Sequence, residues 1–508
     1  MANESAGVYK RRIMTDALTT RPAHRGAWSA ELRAMLSLAW PLILTNLSQI
    51  ALATTDVIMM GWLGPRALAA GALGVNLNFA FLIFGIGLVT ATSPMIAIEL
   101  GRRRGSVREV RRTVRQGFWA AAAFTVPVWV VLWHAEPILL ALRQEPDLAH
   151  AAAGYLHTFQ WAFLPFLFYI VLRNFVSAQE RPMAALWISG SAIAVNAFLV
   201  WVLMFGRLGA PALGLPGAGI ATTLTNLLML AGLGTLISSD RRFRRFHIFG
   251  RFWSADWQRF REVWRIGLPI AFTLGFEVTV FNAAVFLMGL IGAEALAAHS
   301  IAIQIVSVIF MVPLGLGMTA TVRVGLALGS GDRAAVARAG WSAFAMAMAY
   351  ACCTAAILLV FGRTLVGIFL DLDRQENQQV IDLAVSFLTI GGLFQLADSG
   401  QAAASGMLRG LGDTRVPMLF AALGYWGIGL PLAALLAFSA GLKGEGVWIG
   451  LATGLGVVAL SMTARWIRRE RLGLTNGTIY GRGNAATTPI HSVTQEPERG
   501  NNGLTAPW

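Results

Sequence analysis

Three carboxylates stand where carboxylates are costly. Asp56, Glu277 and Asp398 are the acidic residues that fall deep within the long apolar stretches of this 508-residue chain. A carboxylate that only tied helices together could be replaced by Asn at lower cost. Retained charge therefore points to a group that exchanges a proton or holds a small cation. Glu277 lies twelve residues past Arg265, and Asp398 eleven residues before Arg409. On a helix this puts both roughly 16–18 Å from one face, near the middle of a bilayer. Two carboxylates at one depth are hard to ionise together without a cation between them. Asp56 is ten residues before Arg66 and so sits closer to the opposite face.

Each acid belongs to a polar stripe at helical spacing. Asn46, Gln49 and Asp56 recur on one face of the first apolar stretch. Phe394, Asp398, Gln401 and Ser405 do so on the tenth, with Gln395 beside them, and Thr273 lies one turn before Glu277. Asn196 faces inward in the fifth if Ser189 does, and Thr222 shares a face with Asn226 in the sixth. Amide and hydroxyl side chains also serve as interhelical glue. For them, packing and lining a cleft are both open readings. Cys352 and Cys353 are adjacent in an apolar run and offer neither a disulfide framework nor metal spacing.

The elements that must hold these groups follow from composition. Apolar residues make up 56% of the chain and charged ones 13%, about half the usual charged share of a soluble protein. Mean hydropathy is +0.61. These values exclude disordered and fibrous classes and imply an all-α polytopic membrane protein. Twelve apolar stretches reach the roughly 17–25 residues a helix needs to cross a bilayer. They run over about 36–61, 68–97, 116–134, 155–176, 184–205, 215–237, 266–291, 295–328, 340–362, 380–406, 417–439 and 446–466. The runs are continuous rather than alternating, which argues against a β-barrel.

A net charge of +14 would also suit a nucleic-acid binder, but its distribution points elsewhere. With both ends on the cytoplasmic side, the external loops hold Arg66, Arg143, Arg207, Arg363, Arg374 and Lys443. That leaves 34 of the 40 basic residues inside, as the positive-inside rule requires. No partnership with nucleic acid is therefore expected. Arg323, near the inner end of the eighth stretch, is expected to snorkel to the interface.

The chain also repeats itself. Residues 40–101 align with 268–329 at a constant offset of 228, with 14 identities in 62 positions. The shared proline and the block LG-x-x-ALAA carry most of the signal. Two six-span halves of one orientation are expected, with a cleft between them, an arrangement suited to alternating access. The boundaries expected are a tail over 1–35, a first lobe over 36–237, a cytoplasmic linker over 238–265, a second lobe over 266–469 and a disordered tail over 470–508. Pro41, Pro94, Pro165, Pro269, Pro313 and Pro431 lie within or near spans, where a kink is tolerated or can serve as a bend.

These blocks resemble the multidrug and toxic compound extrusion (MATE) family, and most closely its NorM-like branch, over about residues 33–470. The segments that carry the resemblance are WPLILTNLSQIALATTDVIMMGWLGPRALAA from Trp40, GLPIAFTLGFEVTVFNAAVFLMGLIGAEALAAHS from Gly267, RVGLALGSGD from Arg323 and FQLADSGQAAASGMLRGLGDTRVPM from Phe394. The resemblance implies two pseudo-symmetric six-helix lobes that export cationic and amphipathic drugs in exchange for Na+ or H+. It implies that Glu277 and Asp398 form a cation site in the second lobe, holding Na+ if Na+ is the coupling ion. Asp56 with Asn196 and Thr222 would form a polar cluster in the first lobe, a further coupling position. It also implies a monomer in the bacterial inner membrane with no cofactor. Some relatives carry Tyr where this chain has Phe394, Asn or Asp where it has Val200, and Gln where it has Ser300.

Asn46, Gln49, Asn196, Thr222, Phe394, Gln395 and Gln401 are the residues expected to line the substrate cleft. Rival functions fit less well. A lipid-linked precursor flippase would need a basic cleft for a pyrophosphate, whereas no Lys or Arg is expected near the middle of a span. An intramembrane enzyme would need a metal or nucleophile constellation that the spans lack. A channel would leave the acid pair without a purpose.

Overall fold

The computed structural model describes residues 24–102, 106–250 and 253–476. Its architecture is twelve long helices: α1 (Gly26–Trp62), α2 (Pro65–Arg102), α3 (Ser106–Trp133), α4 (Pro146–Ala178), α5 (Met183–Phe205), α6 (Leu215–Ser239), α7 (Trp257–Ile291), α8 (Ala293–Ser330), α9 (Arg333–Val366), α10 (Gln375–Gly410), α11 (Arg415–Ser439) and α12 (Lys443–Ile467). Each is long and apolar enough to span a bilayer.

Several helices outrun their apolar stretches on the face that carries most of the arginines, called here the basic face. Helix already covers 24–35, where a tail was expected. α3 starts at Ser106, so Arg108, Arg111 and Arg112 are helical. α7 starts at Trp257, capped by Asp256, whose carboxylate accepts the Arg259 amide at 3.2 Å. The segment joining the halves is thus shorter than 238–265. It contains one short helix, Arg241–Arg244. Hydropathy misses these turns because their polar faces meet charge partners rather than lipid. Residues 470–476 are also placed, with Leu474 packed into the second lobe. The tails expected over 1–23 and 477–508 lie outside the described residues.

Each half has its own core, and Met35 and Ile98 of the first half also join that of the second. In the first lobe Phe118, Phe163, Tyr169, Phe175 and Phe246 pack together. In the second Phe387, Phe394, Tyr425, Trp448 and Trp466 do so. The turns between α1 and α2 and between α7 and α8 rest on Gly64 and Gly292, at φ 114° and 156°. These glycines are counterparts at the 228 offset, and no side chain is comfortable at such angles. Pro41 and Pro269 are counterparts too, and the carbonyl of each accepts a threonine hydroxyl from the next turn. Thr45 donates to the Pro41 carbonyl at 2.7 Å and Thr273 to the Pro269 carbonyl at 2.8 Å.

The lobes meet along a seam in the half of the molecule nearest the basic face, and the seam obeys the repeat. A Cβ on Gly101 would lie 2.2 Å from the Leu326 oxygen, and one on Gly329 would lie 2.1 Å from the Ile98 oxygen. Gly101 with Gly329, and Ile98 with Leu326, are repeat counterparts, so α2 and α8 cross on the pseudo-two-fold axis. Gly87 touches Ala271 as its counterpart Gly315 touches Ile43. Charge reinforces the seam. Arg323 of α8 grips Glu31 of α1 through two bonds of 2.9 and 2.6 Å and also reaches Glu180. It does not snorkel to lipid as expected. It bridges the lobes. Arg259 of α7 meets Glu99 of α2 at 3.1 Å and Glu109 of α3 at 2.7 Å.

Candidate ion and substrate site

The contacts between lobes reach up to Phe84 of α2, whose ring meets Phe272 edge-on at 5.8 Å and crowds Gly275. Asn46 of α1 faces Met318 of α8 at the same seam, 3.6 Å from its sulfur. Glu277 lies half a turn beyond Gly275, where the seam ends. Glu277 is therefore positioned where the contacts between the lobes end, with Asp398 deeper in the second lobe.

Glu277 and Asp398 are close enough to interact as charges. Glu277 is half-buried on α7, while Asp398 is 4% exposed on α10 behind it. Gln401, one turn further along α10, is the hydrogen-bond partner of the Glu277 carboxyl. Two further residues join the group, and the sequence reading missed both. Arg409 points back along α10, donates to Ser405 Oγ at 2.7 and 3.1 Å, and is a direct charge neighbour of Glu277. In the sequence it marked only the inner face, yet it supplies positive charge to the interior. The second is Tyr425 of α11, a neighbour of Glu277, Asp398 and Arg409. Its hydroxyl is buried and has no hydrogen-bond partner among the described residues. A widened π-helical stretch, Ala422–Gly429, just before Pro431 sets its position. Such widened turns recur at functional sites. The π-stretch could not be read from hydropathy, although Pro431 was a hint.

Around Asp398 the lobe is polar but under-satisfied. Both amide atoms of Gln395 and the hydroxyl of Ser399 are buried without partners among the described residues. Buried polar groups of this kind are normally paired with protein, water or an ion. Phe394 packs against Phe281 at 5.9 Å and Trp448 at 5.7 Å.

In the first lobe, Asp56 is buried and its carboxylate is fully engaged by neutral groups. Asn196 of α5 donates to one oxygen, and the hydroxyl of Thr222 on α6 lies 3.1 Å from the other. Thr225, a residue the sequence did not single out, lies 3.0 Å from the Asn196 amide oxygen and fixes its orientation. Tyr155 is a buried neighbour of the same carboxylate. Asn226 is buried beside this cluster's helix face. The two acidic sites are not repeat counterparts. At the 228 offset Glu277 aligns with Gln49, and Asp56 with Ala284. Asp56 therefore sits seven residues further along its helix, roughly 10 Å closer to the face opposite the basic one.

The cleft-lining expectation needs correction. Asn196, Phe394 and Gln395 are each 0% exposed, and Gln401 is 2% exposed. They lie inside their lobes and present no surface to a bulky substrate, because the stripes that carry them face neighbouring helices of the same half. Glu277 and Gln49 keep partial exposure. Asn46 lies on the seam and Thr222 against Asp56.

Comparison with known proteins gives a consistent family. A family model described as MatE matches residues 41–202 and 269–435, one block in each lobe. A probable multidrug resistance protein NorM from Mesorhizobium japonicum is 57% identical over 450 residues, covering 89% of this chain and 96% of the relative. A protein of the same description from Brucella suis is 54% identical over 441 residues, covering 87% and 94%. Among solved structures, the Vibrio cholerae MATE transporter VcmN in its bent form superposes with a TM-score of 0.79 at 18% identity, over 90% of this chain and 99% of that one. The eukaryotic MATE transporter AtDTX14 gives 0.79 at 22% identity, over 88% and 98%.

Proposed function

The chain belongs to the MatE family, a family of transporters rather than enzymes, and from that premise we propose that it is a secondary active multidrug exporter. Its substrates are cationic and amphipathic organic compounds, exchanged for Na+ or H+. The observation that supports this most is the cluster of Glu277, Asp398, Gln401 and Arg409, half-buried at Glu277 and buried at Asp398, where the seam between the lobes ends. One carboxylate borders the space and the other stands behind it, so an ion or proton arriving at Glu277 can pass inward to Asp398.

Alternating access follows if each ligand biases the same two arrangements of the lobes differently. With the seam closed on the basic face, the space between the lobes serves the opposite side. A cation neutralises the acid pair and relaxes Arg409, whose charge Glu277 otherwise balances. The drug departs, the seam opens, and the cation leaves on the other side. The basic face is cytoplasmic by charge bias, which puts both chain ends inside and the protein in the bacterial inner membrane as a monomer. Asp56, held by Asn196 and Thr222, is a second coupling position in the first lobe.

The test is efflux of ethidium or norfloxacin from a pump-deficient host, and dye movement in liposomes under an imposed Na+ or H+ gradient. Asp398→Asn, at equal expression, is expected to abolish active export. Wild-type resistance in that strain would overturn the assignment. The gradient that drives the liposome signal identifies the coupling ion.

A further inference from the structure

A second feature stands apart from the acids, on the outer surface of the first lobe at the basic face. A groove of about 520 Å³ lies between α3, α4 and α6 and is walled by Phe118, Phe168, Leu230 and Gly234. Phe249, from the segment joining the lobes, covers its basic-face end. Its ring stacks on Phe118 at 6.5 Å, and Phe118 meets Phe168 at 4.7 Å. Phe249 lies close over α6 at this point, since a Cβ on Gly234 would meet its ring at 3.6 Å, an ordinary contact distance. A smaller hollow of about 190 Å³ adjoins it and shares Ser238 and Phe249, with Arg244 and His247 on its wall. Groove and hollow thus share a wall at Ser238 and Phe249, a depression in two adjoining parts.

Its rim is strongly basic. Arg241, Arg242, Arg244 and Arg245 crowd into five positions, and among the described residues none of them makes an ion pair. Asp240 caps the short helix, its carboxylate accepting the Arg242 backbone N–H at 2.9 Å, and forms no ion pair with them among the described residues. The seam arginines, by contrast, are all matched to glutamates. The joining segment also carries exposed aromatics: Phe249 at 45%, and Trp253 at 82% with its ring edge-on to Trp119. Exposed aromatic rings beside arginines that make no ion pair among the described residues suit the lipid headgroup boundary.

We propose that this depression binds an anionic phospholipid, with an acyl chain in the groove under Phe249 and the phosphate against Arg244 and His247. The apolar length excludes free phosphate as the natural ligand, and the basic rim repels the cationic compounds assigned to the central site. The proposal does not depend on the antiport reading. A lipid held here pins the joining segment to the first lobe, just before Asp256 hands the chain to α7.

The test is native mass spectrometry of the full chain from detergent, offered phosphatidylglycerol and phosphatidylcholine with identical acyl chains. Wild type is expected to retain phosphatidylglycerol preferentially. Arg244→Gln with His247→Gln should reduce that preference by about tenfold or more, given the worth of each basic residue at an anionic surface. Gly234→Leu, which fills the groove, should lower retention of both lipids. Arg374→Gln, on the opposite face, should leave the preference intact. Equal retention of both lipids by wild type would overturn the proposal. So would an equal loss in Arg374→Gln, or displacement of phosphatidylglycerol by inorganic phosphate.

Discussion

Substituting Gly329 by Ala should shift the protein away from the arrangement described here, by a calculable amount. The added Cβ would stand 2.1 Å from the Ile98 oxygen and 2.9 Å from Gly101 Cα. Both obstacles are backbone, so neither can swing aside, and α2 and α8 must separate locally by roughly 1 Å or more to reach ordinary contact. Overpacking of this kind costs about 1–3 kcal/mol. Ala also favours the helix over Gly by about 0.5–1 kcal/mol, but it does so in both arrangements and cancels from their ratio. The closed-seam population should therefore fall about 5- to 150-fold relative to the open-seam one, at roughly 1.4 kcal/mol per tenfold. The assay is electron–electron double resonance between spin labels at Val107 and Leu472, exposed positions at the basic ends of the two lobes, after Cys352 and Cys353 are replaced. The labels should move apart. Gly101→Ala, with its Cβ 2.2 Å from the Leu326 oxygen, should act alike because it is the repeat counterpart. Gly289→Ala meets nothing within 4 Å and should not change the distances. A wild-type distance distribution in Gly329→Ala, or an equal shift in Gly289→Ala, would refute the seam.

Three further outcomes are expected. Arg323→Gln removes the grip on Glu31 and Glu180 and should open the same seam, and its difference from wild type should narrow at high salt, which screens the wild-type pairs; unchanged label distances would count against a bridging role. Asp256 lies before α7. Burial alone would raise its carboxyl, but the Arg112 hydrogen bond at 2.5 Å, the Arg259 amide and both guanidinium charges outweigh burial and hold it below its ordinary value of 3.8. A lowered folded value gives stability that is full above the unfolded value and lost as pH falls through the folded one. Asn caps a helix as well as Asp, so Asp256→Asn isolates the charge: its thermal midpoint should trail wild type at pH 7, and the gap should close below about pH 4. Phe394→Tyr restores a hydroxyl one turn from Asp398, and on the proposed reading it should strengthen Na+ dependence of dye efflux; an unchanged Na+ response would place position 394 outside the ion's reach.

What the sequence made legible depended on periodicity and cost. The twelve spans were readable because a bilayer demands length and apolarity, and all twelve recur within the helices observed. Their ends were not, because Arg112 and Arg259 continue helices as polar turns whose partners, Asp256 for the first and Glu99 and Glu109 for the second, are remote in sequence or across the seam. The three acids stood out because charge in hydrocarbon is too costly to keep without a use. Their surroundings did not. Arg409 looked like an inner-face marker because its distance from the span end was counted along the chain, while its side chain runs back toward Glu277. Tyr425 depends on a local widening of α11 that leaves no trace in hydropathy. Stripe periodicity turned Phe394 on the tenth span and Asn196 on the fifth inward, with Gln395 beside Phe394, but it cannot distinguish a face toward the cleft from one toward a neighbouring helix.

The repeat explains why the seam is symmetric while the chemistry is not. Two lobes that rock against each other must fit at the axis, so Gly101 and Gly329, Gly87 and Gly315, and Ile98 and Leu326 are constrained in pairs. A side chain gained on one member would block the crossing that its counterpart leaves open. No such constraint applies to the acids, which make no contact at the crossing of α2 and α8. Glu277 occupies the position of Gln49, and Asp56 that of Ala284, so each half carries its charge at a different depth. In the second lobe the acid pair works against Arg409; in the first, Asp56 is matched by neutral donors alone. An ion entering the second site must therefore displace an existing charge balance, whereas at Asp56 it adds charge to a network already complete. On the proposed mechanism that difference makes the second lobe the stronger lever on the seam, and neutralising Glu277 or Asp398 should perturb transport more than neutralising Asp56.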